Sequence, residues 1–382
     1  MSKPLNICID IRDLRIAKTG SRTYLDELAR EFQSDNDPNF KFIFLDSTLP
    51  FVYTGKNKWL KLIEQLRFLF WKQVELPLKA WYYKADIVFC TDFFVPWIQL
   101  GYTTIPVFHD AFFWEYPAHY NKYWRWLFLR LGVSAAKKSF CIITPTFYTQ
   151  TKIAAYSNIH VKKIIPIYEA PKSLSNHGNA PSKWNFLKEK KYILHVGTFE
   201  KRKNLIVLLQ AFHSLKKDYG YIDLELVLVG QLSTKSTLNG MQELYDLIHD
   251  QELNKHIHCT GYIEDEYLGF FYKHASVYAF PSLNEGFGIP ILESFKFGVP
   301  VVIANNTCLP EVAGNAALSF APFQPKELTE LLNQLLCNDA LRDELIERGK
   351  ERVKEFSWQK TAAAIKQVFI EAYNAKSSSI KS

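Results

Sequence analysis

The chain has 382 residues, room for two domains that each bury a core of their own. With 48% hydrophobic and 22% charged residues its composition is globular, and the lack of any uncharged apolar run of about 18 residues excludes a helical membrane span. A net charge of +7 fits an anionic substrate or an anionic lipid surface, and no Lys/Arg run marks a nucleic-acid tail. The 29 Phe, 20 Tyr and 9 Trp form an aromatic excess that must be packed or used at a surface. Six scattered cysteines without a C-x-x-C pair read as buried free thiols of a reducing compartment rather than a disulfide framework or a zinc site. The opening MSKPLNICIDIRD has no signal-peptide apolar region, so a cytoplasmic protein is expected.

Leu5 to Ile11 is apolar and β-branched, a first strand. Thr19, Gly20 and Ser21 then form a tight loop opening a helix whose Leu25, Leu28 and Phe32 recur at helical spacing. Strand, Gly20 loop and helix N-terminus make either a phosphate-binding context or an ordinary strand-to-helix turn. Phe42 to Leu45 is a strand. Residues 57–84 follow, with Trp59, Leu62, Leu66, Leu69 and Phe70 at helical spacing among Lys58, Lys61, Arg67 and Lys72. The expectation is a core-facing helix with a solvated basic side, and the alternative is a helix lying on an anionic membrane. Residues 120–138 carry the same two readings. Ala85 to Asp92 and Ile105 to Phe108 are strands, the second ending in His109 and Asp110, where open α/β sheets place ligands. Cys141 to Pro145 and Lys162 to Ile167 close this half. The polar, aperiodic PKSLSNHGNAPSK then marks a linker.

The second half restarts in the same way. Tyr192 to Val196 is a strand, Gly197 turns, and a helix begins after Arg202 and Lys203. Two adjacent cations beside a positive helix terminus face either solvent or an anion, for which a diphosphate is the natural partner. Leu224 to Gly230 and Ile257 to Gly261 are strands. Glu264, Asp265 and Glu266 sit before Leu268 and Phe271, which fits a helix N-terminus better than a metal-binding D-x-D, and no metal set is assigned. The run Ala275 to Phe280 delivers its end into SLNEGFGIP. There Gly286 and Gly288 flank Phe287, Glu285 lies in the loop, and Glu293 stands on the helix behind Pro290. Carboxylates for hydroxyls and helix-start amides for oxygens suit a polyhydroxylated, anionic ligand.

Glu285 and Glu293, separated by seven residues around GFGIPILE, resemble the E-x7-E element of the retaining glycosyltransferases of family 4, which use nucleotide-sugar donors on the GT-B fold. The likeness extends over nearly the whole chain, through the D-x-R opening, His109-Asp110, Arg202-Lys203-Asn204, and Glu311 with Gly314. It implies an α/β fold of two doubly wound parallel-sheet, Rossmann-like domains facing a cleft: 1–170 on the acceptor side, a linker at 171–184, a nucleotide-sugar domain at 185–356, and a C-terminal helix, 357–382, crossing back to the first domain. Alternation of strands and helices, interrupted and restarted, supports the two domains without that help.

By the same resemblance, Lys203 holds the donor diphosphate. Thr198 stands where many members carry an arginine after Gly197, which leaves Arg202 as the second cation. Gly20 and the amides of Phe287 and Gly288 lie near the diphosphate, Gly261, Tyr262 and Ile263 line the base, and Glu293 binds the ribose hydroxyls. Glu285 binds the sugar, and His109 faces it with Asp110 as its orienter. The implied activity is metal-independent, retaining transfer of a hexosyl group to a saccharide or lipid-linked saccharide, as in surface polysaccharide or glycoconjugate synthesis. No cofactor is expected, since the nucleotide sugar is a substrate. GDP-mannose is the first candidate donor, with UDP- and dTDP-sugars as alternatives. The expected partners are the nucleotide sugar, the saccharide acceptor and, on the alternative reading of the basic helices, an anionic membrane at whose inner face the protein would work; no nucleic acid is expected. The rivals are a phosphorylase or epimerase of the same fold, and a catalytically degenerate sugar-nucleotide-binding subunit of a membrane-associated assembly.

Overall fold

The computed structural model describes residues 3–15, 20–49, 53, 55, 57–175, 181–231, 244, 246 and 253–381. They form two compact units, one of Met1–Glu169 with Ser357–Ser382 and the other of Ala170–Phe356.

In the first unit β1 (Leu5–Asp10), β2 (Phe40–Leu45), β3 (Ile87–Cys90) and β4 (Thr103–Pro106) make a parallel sheet in the order β2-β1-β3-β4. All four residues of β3 are buried, the continuous apolar pattern of a strand covered on both faces. In register, Asp10 lies opposite Leu45 on one side and Cys90 on the other, so the loops after β1 and β3 leave the same edge where the strand order reverses. β5 (Ile142–Thr144) and β6 (Ile164–Pro166) form a second parallel pair, joined to the end of β4 by a bridge from Val107 to Ile143.

The helix α1 (Gly20–Gln33) buries Leu25, Leu28 and Phe32, as their spacing predicts. The helix Trp358–Lys381 packs on it: Trp358 meets the edge of Tyr24, Phe369 lies against Phe32 and Phe89, and Lys366 pairs with Asp35 at 2.6 Å. Gly20 and Ser21 already belong to α1, so Gly20 opens a helical turn rather than a loop, and Thr19 lies outside the described residues.

The basic aromatic stretch 57–84 departs from its core-facing expectation. It forms α2 (Lys58–Phe70), a π-helical turn (Trp71–Glu75) and α3 (Leu76–Tyr82). The side turned to the core carries Trp71, Lys72, Leu76 and Ala80, while Trp59, Leu62, Leu66 and Phe70 are exposed. Burial of Lys72 is possible because two carboxylates meet it there, as described below.

The second unit holds β7 (Tyr192–Val196), β8 (Glu225–Val229), β9 (Ile257–Gly261), β10 (Val277–Phe280), β11 (Val301–Ala304) and β12 (Ala317–Phe320), all parallel, in the order β12-β11-β10-β7-β8-β9. Its order reverses between β7 and β10, and the core strands β8, β10 and β11 are buried throughout. Of the expected linker 171–184, residues 176–180 lie outside the described residues; Ser182–Glu189 is a 3-10 helix with Trp184 and Leu187 buried.

Glu264 occupies the N-cap position of the helix Asp265–Lys273 without a side-chain capping bond, and Asp265 pairs with Lys172. Cys8, Cys90, Cys141 and Cys308 are buried free thiols, whereas Cys259 and Cys337 are exposed; Cys259 lies on β9, the edge strand. No helix among the described residues is long and apolar enough to cross a membrane.

Candidate functional site

In the second unit the loops after β7 and β10 meet where the sheet order reverses. After Gly197 the chain makes a short 3-10 turn, Lys201–Lys203, and Asn204 takes a left-handed conformation that starts the helix Leu205–Asp218. This turn directs Lys203 inward, where it is only 7% exposed. From β10 comes Glu285, whose Oε1 accepts from Lys203 Nζ at 2.5 Å and whose Oε2 accepts from Arg202 Nη1 at 3.0 Å. Arg202 also donates to the Asn284 carbonyl at 3.2 Å and, through Nε, to Glu200 at 2.8 Å. One carboxylate is thus shared by two adjacent cations.

The loops are braced independently of that charge. Leu283 N donates to Arg202 O at 2.7 Å, Asn306 Nδ2 donates to Leu283 O at 3.0 Å, and the Cys308 thiol lies 3.2 Å from the carbonyls of both Glu285 and Phe287. Burial alone would raise the Glu285 carboxyl, but Lys203 and Arg202 hold it down at about 2. Burial draws Lys203 below the ordinary lysine range even though Glu285 favours its charge.

Glu293 has the opposite surroundings. It sits on the helix Ile289–Lys296, is 4% exposed, and accepts from the Tyr272 hydroxyl at 2.6 Å. Burial pushes its carboxyl up to about 7. Gly288, at φ +105°, supplies the left-handed residue from which that helix starts, and a side chain there would press on Ile291 and Leu309. Phe287 is buried beside it. Gly261 ends β9, its carbonyl accepting from Gly230 N at 3.0 Å; Tyr262 is exposed and Ile263 half-buried. Gly230 brings the neighbouring loops together: a Cβ there would lie 1.9 Å from the Gly197 carbonyl oxygen.

In the first unit His109 follows β4. Its Nδ1 lies 3.1 Å from Glu169 Oε1 and its Nε2 3.0 Å from the Thr91 carbonyl, with Tyr24 edge-on to the ring. A carbonyl only accepts, so Nε2 carries a proton; a carboxylate opposite Nδ1 favours a second one. Burial opposes that charge, but the bond to and charge of Glu169 outweigh it and the histidine is raised above its ordinary value. Glu169, not Asp110, is therefore the orienting residue. Asp110 Oδ1 instead accepts from Phe112 N at 2.9 Å, because a carboxylate two residues ahead of a helical turn reaches its free amide.

Beside it lies a buried ionic group that sequence reasoning missed. Lys72 Nζ is 2.5 Å from both Asp10 Oδ2 and Asp92 Oδ1, and Trp71 Nε1 donates to Asp10 at 3.1 Å. Oxygens of Asp10 and Asp92 and the Cys90 sulfur lie within 4.8 Å of one another, a spacing that could hold a metal ion. The Lys72 ammonium already supplies the positive charge between the two carboxylates. Asp92 is raised to about 7, burial outweighing the attraction of Lys72.

Other participants were also invisible locally: Glu200, Tyr272, Asn306, Cys308 and His195. Wholly buried, His195 donates from Nδ1 to the Ala279 carbonyl at 3.0 Å, leaving Nε2 as an acceptor with no partner among the described residues; burial holds this imidazole down at about 4.

Residues 177–352 match the family described as Glycosyl transferases group 1. O-antigen chain mannosyltransferase B of Escherichia coli is 36% identical over 168 residues, 44% of this chain and 42% of that protein. MMP alpha-(1->4)-mannosyltransferase of Mycolicibacterium hassiacum is 35% identical over 146 residues, 37% of this chain and 35% of that protein. The matches thus span less than half the length of these curated relatives. In fold, sucrose-phosphate synthase from Thermosynechococcus elongatus superposes with a TM-score of 0.72 over 97% of this chain and 100% of its own, at 18% identity. The parallel α/β fold is of the GT-B type, and residues 177–352, nearly all of the second unit, are similar to the glycosyl transferases group 1 family.

Proposed function

We propose that the chain transfers a hexosyl group, mannosyl first among the candidates, from a nucleotide diphosphate sugar to a hydroxyl of a saccharide or lipid-linked saccharide in surface polysaccharide or glycoconjugate synthesis. The observation that carries this reading is the Lys203–Glu285–Arg202 cluster, built on the buried Lys203, at the reversal of strand order in a domain similar to the group 1 family. The mannosyl choice is supported by the two mannosyltransferase relatives.

An arriving diphosphate competes with Glu285 for Lys203 and Arg202. As the bond from the anomeric carbon to the β-phosphate oxygen breaks, negative charge grows on the phosphate, and each preorganised cation contributes roughly 3 kcal/mol. Glu285, released from its cations, faces the positive charge growing on the sugar ring. The acceptor oxygen bonds to the anomeric carbon on the face the phosphate leaves, with retention, and its proton passes to the departing phosphate. The two cations supply the charge that a divalent ion would otherwise bring, so the reaction needs no metal. Glu293 is assigned to the ribose hydroxyls, and the backbone of Gly261, Tyr262 and Ile263 to the base. His109 is assigned to the sugar, a role that requires it to exchange its bond to Thr91 for one to the ligand.

Calorimetric titration with GDP, UDP, dTDP and their sugars, with and without Mg²⁺, tests the reading. One nucleotide binds without the metal, and Lys203→Ala weakens it at least tenfold. Absence of binding across the panel, or wild-type affinity in the variant, refutes it.

A further inference from the structure

The outward side of α2 and α3 is a continuous apolar stripe. Trp59, Ile63, Leu66 and Phe70 follow one another at i, i+4, i+7 and i+11, and Val74, Leu78 and Trp81 carry the line on past the π-helical turn. All are exposed: Trp59 at 76%, Leu66 at 57% and Phe70 at 52%. A helix of a globular domain turns such a stripe inward; here the inward side is already occupied by Trp71, Lys72 and Leu76. The four aromatics Trp59, Phe70, Trp81 and Tyr82 alone leave on the order of 500 Å² of side chain in water, the size of patch that marks an interaction surface.

The charges beside it have one sign. Between 57 and 84 the acids are Glu64 and Glu75, both turned into the protein: Glu64 holds Arg12 at 2.5 Å, and Glu75 holds Lys79 at 3.1 Å. Lys61 and Lys84 are exposed. The helix Lys122–Leu127 lies alongside, tied by Phe68 against Trp124 at 5.6 Å, and exposes Lys122, Tyr123 and Trp126, with Arg130 exposed just beyond it. Residues 120–138 contain no acid at all.

We infer that this face of the first unit docks on an anionic lipid bilayer, lying in its interface with the stripe at the boundary of headgroups and acyl chains and the lysines at the headgroups. Cations complement such a surface, and Trp and Tyr at the two ends of an aliphatic stripe match the preference of these rings for the headgroup level. A second copy is the poorer occupant, since a self-paired face would set lysine against lysine.

The inference is independent of the proposed transfer, because vesicle binding needs no nucleotide and either can fail alone. Cosedimentation of the full chain with phosphatidylcholine vesicles, with and without phosphatidylglycerol, provides the test. Wild type sediments with the anionic vesicles, less so at high salt. Leu66→Ser with Phe70→Ser, both exposed and outside the core, keeps the wild-type melting temperature and loses about tenfold or more in vesicle affinity. Lys61→Glu and Lys84→Glu each lose roughly fivefold on anionic vesicles. No binding by wild type, or full binding by the Leu66/Phe70 double variant, overturns the inference. So does a dimer in sedimentation that the double variant dissociates while vesicles go unbound, for then a second copy covers the face.

Discussion

Glu293 should cost the fold stability at alkaline pH, and Glu293→Gln isolates that cost. Its carboxyl has an ordinary value of 4.5 and is pushed up to about 7 by burial, so the folded protein holds the proton more tightly than the unfolded chain. The resulting stabilisation is complete below pH 4.5 and is lost as pH rises to about 7, after which the difference is constant. The shift corresponds to 7 less 4.5, and at about 1.4 kcal/mol for each unit amounts to roughly 3 kcal/mol. Glutamine keeps an oxygen to accept from Tyr272 and takes no charge, so the variant escapes the loss. Urea unfolding of both proteins at pH 4.5 and pH 8.5 measures it. Relative to wild type, Glu293→Gln gains about 3 kcal/mol between those values. A difference that stays constant with pH would refute the reasoning, since it would mean that Glu293 ionises as easily folded as unfolded.

Two more outcomes follow from the contacts around the other strand ends. Gly230→Ala places a Cβ 1.9 Å from the Gly197 carbonyl oxygen at φ +145°, so the loops after β7 and β8 must part; a loss of about 2 kcal/mol or more in thermal unfolding is expected, and a wild-type melting temperature would contradict it. Glu169→Gln removes the carboxylate that sustains the charge on His109, and the midpoint of the imidazole titration followed by NMR should fall, whereas an unmoved midpoint would assign the shift to another group.

The strands were legible because a parallel strand covered on both faces is a bare apolar run, and the ends of β7 and β10 announce themselves with glycine and proline. Loop positions for Arg202, Lys203 and Glu285 could therefore be read from the chain, but their mutual pairing joins residues 82 and 83 positions apart and has no local signature. Adjacency misled in the case of His109: Asp110 is its neighbour in sequence, while Glu169, 60 residues on, is its neighbour in space. Periodicity revealed the stripe of α2 but not its direction. That depends on Lys72, whose burial requires Asp10 and Asp92 from two strand ends, and no window along the helix contains them.

The two buried lysines differ in how far their carboxylates balance them, which bears on where the proposed anionic donor would bind. Burial opposes charge in both. At Lys72, Asp10 and Asp92 more than compensate, and the ammonium is held well above the ordinary lysine range. With two carboxylates around one cation, an incoming anion would meet excess negative charge. Lys203 has one close carboxylate, and that carboxylate also serves Arg202, whose own charge works against it; the ammonium is drawn down. Glu200 bonds Arg202 Nε from a more exposed position and is the smallest of the contributions that favour the charge of Lys203. The buried part of this cluster is therefore short of negative charge, and a further anion beside Lys203 would favour its protonated form. A diphosphate would bring that charge and could satisfy both cations at once, which is the physical reason the proposed donor site is assigned here rather than at the still more deeply buried lysine of the first unit.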